Sequence, residues 1–191
     1  MVRVVLQAVL LAGLASGASA QALTGEAAAP FLFAPNGAVV EMIQPSVLPA
    51  DQADILKQVG AAQPYYGAIA VSPDEGIMVE ATVAAANHHS TDAASAQALA
   101  ACDAKRKGAK PCVIVALIRP EGWVPQAFQL SSGATADFAD YLKVRRDKAF
   151  AVSPSTGLWG QAKGRDAAAK AVADCAAKGS KPADCAIIVQ D

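Results

Sequence analysis

The chain has 191 residues, with 16 Lys and Arg against 17 Asp and Glu and a formal charge of -1, so neither a nucleic-acid partner nor an anionic membrane surface is implied. Its residues are 53% hydrophobic but only 5% aromatic, which points to alanine-rich helices lying close on a sheet rather than to a bulky sandwich core. The length suits one compact domain or two small fused halves.

Residues 1–20 combine one basic residue, Arg3, an apolar run and the small-residue ending Ala18-Ser19-Ala20. This is the pattern of a secretory signal, with cleavage expected before Gln21. A membrane anchor is the competing reading, but the run is short for a span, glycine interrupts it, and no charged stop-transfer flank follows. A periplasmic or secreted product without a membrane span is expected.

Residues 21–65 are read as an N-terminal cap. Ala38-Val-Val-Glu-Met-Ile43, bounded by Pro35-Asn-Gly37 and Pro45, reads as a strand. A helix is expected over 48–59, with Pro49, Asp51 and Asp54 at its start, Ile55, Leu56 and Val59 on one stripe, and Gly60 as its stop.

Two similar stretches follow. In the first, 66–118, a strand over 66–72 meets the turn Pro73-Asp-Glu-Gly76 and returns over 77–83. Ala94, Ala98, Leu99 and Cys102 then follow helical spacing behind a Thr91-Asp92 cap, and Cys112 leads the apolar strand Val-Ile-Val-Ala-Leu-Ile118. A connector, 119–147, carries a strand candidate over 123–130 and a helix over 135–146 with Phe138, Tyr141 and Leu142 on one side. The second stretch, 148–191, repeats the order: Ala149-Phe-Ala-Val-Ser-Pro154, the turn to Gly157, an alanine-rich helix over 166–175, Lys178-Gly-Ser-Lys-Pro182, and Cys185 leading Ala-Ile-Ile-Val. The first stretch is longer around Ala84-Ala-Ala-Asn-His-His-Ser90.

All four cysteines lie beyond the signal, two in each stretch at the same spacing. An even count at a repeated spacing reads as a disulfide framework in an oxidising compartment. Of three connectivities, repetition favours Cys102–Cys112 with Cys175–Cys185. Zinc is the runner-up, although four-cysteine zinc sites use closer pairs. The expected fold is therefore α+β: two strand-strand-helix-strand repeats sharing a mixed sheet with pseudo-twofold symmetry, each with one disulfide, the whole of 21–191 forming one compact domain.

The segment Tyr66-Gly-Ala-Ile-Ala-Val-Ser-Pro73, the alanine-rich helix and the paired cysteines resemble the secreted bacterial domain of unknown function DUF4189. The second stretch carries the tryptophan-glycine pair frequent in that family, within Gly157-Leu158-Trp159-Gly160, where the first has Gly76-Ile77-Met78-Val79. The resemblance covers 66–118 and 149–190; it implies an exported, disulfide-bonded α+β module and lends no catalytic residue. The whole chain also resembles small exported alphaproteobacterial proteins that sometimes carry a 5-aminolevulinate synthase label. That activity is not supported here, since no lysine site for pyridoxal phosphate can be placed.

Among residues suited to chemistry, His88 and His89 are the only histidines and sit beside Ser90, Thr91 and Asp92. Neighbouring side chains on an extended segment point to opposite faces, so an exposed polar loop leading into a helix cap is the expected setting. Ser72 and Ser153 precede prolines in turns and lack the glycine-flanked elbow of a nucleophile. Asp74, Glu75 and Glu80 do not reproduce a calcium-loop spacing. Lys105-Arg106-Lys107 and Arg145-Arg146 read as helix-end charge. Trp123 and Trp159 suit either binding anchors or core filling.

The reading is a non-catalytic module that contacts a protein or envelope component, with His88, His89 and Trp159 as candidate contacts and no cofactor or metal assigned. The alternative is a small hydrolase or metal-dependent enzyme using His88 or His89.

Overall fold

The computed structural model describes residues 22–191, so the expected signal segment lies outside the described residues. In chain order the elements are α1 (Gly25–Ala28), a 3-10 turn (Ala29–Phe31), β1 (Ala38–Met42), a second 3-10 turn (Pro45–Val47), α2 (Ala50–Ala61), β2 (Gly67–Val71), β3 (Val83–Ala85), α3 (Thr91–Asp103), β4 (Val113–Pro120), α4 (Ser132–Lys143), β5 (Lys148–Val152), β6 (Trp159–Lys163), α5 (Ala167–Ala177) and β7 (Ala186–Gln190). The protein is α+β, as its sequence indicates, but its strands do not share one mixed sheet. They form two antiparallel sheets, β1-β4-β2-β3 and β6-β5-β7. The sheets stay separate because β2 and β5 are each flanked by strands from their own stretch of chain.

Side-chain size explains how the layers assemble. Along β2, Ala68 and Ala70 face α3, where Ala94, Ala98 and Cys102 lie close, whereas Ile69 and Val71 face the other way into a core with Leu56 of α2. Along β5, Ala149 and Ala151 meet Ala171 and Cys175 of α5, while Phe150 and Val152 pack with Phe138 of α4. Both central strands are buried on both faces, so each sheet is the middle of three layers. The alanine face lets one helix approach closely, and the large-residue face fills the wider gap to the other. Four apolar clusters result, none spanning both sheets, so the shared core expected from sequence is replaced by two cores meeting at a joint.

Several local expectations are corrected. β1 and α2 complete the first sheet alone rather than capping both stretches. Gly60 lies inside α2, where a Cβ would come 2.8 Å from Val40, so it serves close packing instead of ending the helix. The returning strand over 77–83 is reduced to β3, because the chain first turns at 79–82 with Thr82 N–H donating to the Val79 carbonyl. Residues 123–130 form no strand. Trp123 instead stacks on the Arg119 guanidinium at 4.1 Å, and Phe128 and Leu130 drop into the core around Phe138. The next helix starts earlier than expected, capped by Ser131, whose hydroxyl accepts from Ala134 N–H, and it ends before Arg145. α3 is capped by Ser90 rather than by Thr91 or Asp92.

Both disulfides pair as the spacing favours, Cys102–Cys112 and Cys175–Cys185, each tying a helix end to the start of the following strand. With all four sulfurs bonded there is no thiolate to hold zinc. Among the described residues no helix is long and apolar enough to cross a membrane.

Candidate functional site: the His88-His89 loop

The loop between β3 and α3 is the excess length of the first stretch, and it lies between the two bodies. Asn87 takes a left-handed conformation, φ 62°. Its Oδ1 accepts from the backbone N–H of Gly133, at the start of α4, at 2.9 Å. Gly157 packs against this loop: a Cβ there would lie 2.2 Å from the Asn87 carbonyl oxygen and 2.6 Å from His88 Cα. Glycine is therefore required twice at 157, for that approach and for its φ of +74°.

The two histidines point to opposite sides, as an extended pair should, but neither is exposed. His88 is 4% and His89 7% accessible. His88 remains with its own body, Nδ1 near the Ala86 carbonyl at 3.2 Å and Nε2 near Gln97 Oε1 at 2.9 Å. His89 crosses the joint. Its Nδ1 accepts the backbone N–H of Ser131 at 3.0 Å, which leaves Nε2–H to donate to the Leu158 carbonyl at 3.1 Å. The two partners fix one neutral tautomer. Burial pushes the His89 pKa down to about 4, with the Leu158 carbonyl opposing, the neighbouring His88 lowering it further and Asp184 raising it.

Every ring nitrogen of the pair has a structural partner, so the expected exposed loop is a buried latch. Its burial could not be read locally, because the atoms that receive His89 lie 42 and 69 positions further along the chain. The Ser90 cap adjoins the pair, and Tyr65 and Tyr66 stand edge to face at 5.2 Å at the entry to β2. Both tyrosines are almost wholly buried, which raises the Tyr65 pKa and pushes Tyr66 up to about 12. Sequence reasoning missed this tyrosine pair as part of the joint; the doubled aromatic in an aromatic-poor chain was the available signal.

The Ser-Pro turns are locked to the inter-cysteine loops by carboxylates, from opposite sides in the two bodies. In the second body Ser153 Oγ donates to Asp184 Oδ1 at 2.5 Å and Ser155 N–H to Asp184 Oδ2 at 3.0 Å; the Ser153 hydroxyl bond holds the Asp184 carboxyl below its usual range. In the first, Glu75 accepts the N–H groups of Lys107 and Gly108 at 3.0 and 3.1 Å, and Asp74 accepts that of Lys110 at 3.1 Å. Asp74 also pairs with the Lys110 ammonium at 2.9 Å. Glu80 lines a surface opening together with Glu75, Lys105 and Lys107. Arg106 lies beyond α3 and ties its last residue, Asp103, to the following loop through the Gly108 carbonyl.

Trp159 is half-buried against the core under α4; its indole N–H donates to Asp137 at 2.9 Å and Lys178 stands 5.3 Å over its ring. Ser72 is buried like Ser153. No histidine hydrogen-bonds either serine; the only imidazole crossing the joint has both nitrogens engaged.

Openings of about 350 and 360 Å³ lie on two sides of Lys148. The first runs between α4 and β6 and is lined by Asp140, Tyr141, Lys148 and Lys163 among others. The ammonium of Lys148 donates to the Val144 carbonyl at 2.9 Å, lies 4.7 Å over the Tyr141 ring, and sits 3.7 Å from Asp191. The Tyr141 hydroxyl donates to the same carboxylate at 2.8 Å, and burial raises its pKa. Among the described residues, no group of three or more His, Cys, Asp or Glu side chains is placed to hold a metal ion.

Fold and site together define a disulfide-bonded α+β protein of two three-layered bodies joined by a buried histidine. No family model, no curated protein and no solved structure matches the chain.

Proposed function

We propose that this chain is an exported, disulfide-stapled module, without catalysis of its own, that binds a protein or envelope component. One observation carries the reading: both ring nitrogens of His89 and the hydroxyl of Ser153 are engaged within the fold, both ring nitrogens of His88 face oxygens of its own body, and no histidine reaches the buried Ser72 hydroxyl, which has no hydrogen-bond partner among the described residues. A general base or metal ligand needs a lone pair turned toward its substrate or ion, and His89 has given its only one to Ser131. Export rests on the sequence of residues 1–20 and is supported by two disulfides, which persist in oxidising compartments.

The module is built from two related units of the DUF4189-like kind, arranged with pseudo-twofold symmetry. Support comes from details that need not agree by chance. In each body the first strand of the stretch is internal to its sheet, the ladder to the last strand has its irregularity between the third and fourth residues, at Ile69/Ala70 and Phe150/Ala151, and the bridged cysteines are ten positions apart. The turns close on Gly76 and Gly157 with φ of 72° and 74°.

The test is retention from an envelope extract on the purified, oxidised chain starting at Gln21, beside a fully reduced control. A specific macromolecule held by the oxidised chain and lost on reduction is the expected result. Retention of a metal ion through His88 and His89, with no macromolecule, overturns the reading in favour of a metal-dependent activity.

A further inference from the structure

The two sheet orders leave four outer edges, on β1, β3, β6 and β7. Three are blunted. The segment at Leu23 covers β7, with Leu23 N–H donating to the Ile188 carbonyl at 3.0 Å and Gln190 N–H to the Leu23 carbonyl at 2.8 Å. On β6 the outward N–H of Gln161 is taken by Asp174 at 3.2 Å. β3 is only three residues long. These are the ordinary ways in which proteins protect an edge from strand addition.

β1 has no such protection. Bonds from Ile43 N–H to the Val115 carbonyl and from Glu121 N–H to the Gly37 carbonyl set the phase of its ladder with β4. Positions 37, 39, 41 and 43 therefore bond inward, and Ala38, Val40 and Met42 turn their N–H and C=O groups outward. None of these outward groups meets a partner among the described residues. The strand bears a single charge, Glu41, and leaves Val39 and Ile43 51% and 40% accessible.

We propose that β1 is the surface on which a second copy of this chain docks, strand against strand and antiparallel about a two-fold axis at Val40, joining two four-stranded sheets into one of eight. This goes beyond the binding role proposed above and does not depend on it. In that register every outward group of one strand meets its complement on the other, and small Ala38 lies opposite large Met42. On the outer face Val39 lies opposite Glu41 of the other copy, so the only charge on the edge avoids a like charge directly across, and Arg119 of its own chain already pairs with it. On the inner face Gly60 sits over Val40 and is followed by Ala61 and Ala62, so small residues flank the axis where the two copies of α2 approach.

Position 39 tests the register. Within its own chain residue 39 stands across the ladder from Arg119, so the fold accepts Val39→Glu. In the dimer that glutamate would face Glu41 of the other copy, whereas Val39→Lys would face it with the opposite sign. Sedimentation velocity over a dilution series of the chain starting at Gln21 should show a dimer that dissociates on dilution. V39E should weaken it and V39K tighten it, each by up to about tenfold, since the pair occurs twice. Melting curves confirm that both variants are folded. A chain that is monomeric at every concentration overturns the proposal, even if it captures an extended peptide at β1. So does a dimer that V39E and V39K affect alike.

Discussion

Gly160 shows how much of this fold rests on single atoms. A Cβ at this position would fall 2.3 Å from both the Ala171 carbonyl oxygen and the Cys175 nitrogen, which are backbone atoms of α5 and cannot swing aside. Gly160→Ala should therefore lift α5 from β6 and cost about 1–3 kcal/mol, read as a lower urea midpoint with an unchanged slope. The Trp159-Gly160 pair was conspicuous in the sequence, but its reason was not. Alternating small residues announce a strand, whereas the helix backbone lying against this particular glycine comes from residues more than ten positions away. The Ser-Pro turns were legible in the same partial sense. Proline and glycine marked the turn, but the carboxylates that lock it, Asp184 in one body and Asp74 with Glu75 in the other, arrive from opposite partners.

At the scale of elements, the alternation of alanine with large residues along β2 and β5 is what selects which helix covers which face. Each disulfide sits on the alanine side and joins the close-packed helix to the next strand, so it closes a short loop around an interface already formed. By loop-closure entropy each bridge should contribute about 2–3 kcal/mol. Replacing Cys175 and Cys185 together by serine should lower stability by that amount, and thermal or urea unfolding of the double variant checks it. Helix boundaries shifted by a few residues where a cap decided them. Ser90 and Ser131 begin their helices because their hydroxyls reach the N–H three positions on, a choice that periodicity cannot make among adjacent Ser, Thr and Asp. Residues 123–130 form no strand because their buried members serve the core one by one: Phe128 and Leu130 pack around Phe138, while Val124 stays exposed.

The whole molecule is two cores and a joint, and the joint carries a titratable group. His89 binds fewer protons folded than unfolded between its folded pKa of about 4 and its ordinary value of 6.5. In that window the unfolded chain takes up the extra proton, so stability is complete above about pH 6.5 and falls as the pH drops toward 4. The loss should reach roughly 3 kcal/mol, chiefly because a charged ring would be buried, and protonation would also set a second N–H at Nδ1 against the Ser131 N–H it now accepts from. Denaturant unfolding at pH 7.5 and pH 4.5 measures this. His89→Ala should be less stable at the higher pH by about 1–3 kcal/mol, from the orphaned Ser131 N–H, and should show a smaller change between the two. An equal pH response in both proteins would place the sensitive group elsewhere, and not at the Asp184 carboxylate, whose lowered pKa removes stability only below its ordinary value of 3.8.

The sequence by itself determined the α+β class, most strands and helices, the two turns and the pairing of four cysteines. Each of these depends on residues near one another in the chain, where a period of two or 3.6, a proline-glycine turn or a repeated spacing expresses the physics directly. Only the tertiary structure decided that the strands form two sheets and that β1 and α2 belong to the first. It also decided that His88 and His89 are internal. Those outcomes turn on which distant groups satisfy one another's hydrogen bonds and fill one another's gaps. A histidine's neighbours along the chain say nothing about a carbonyl 69 residues away that will receive its proton.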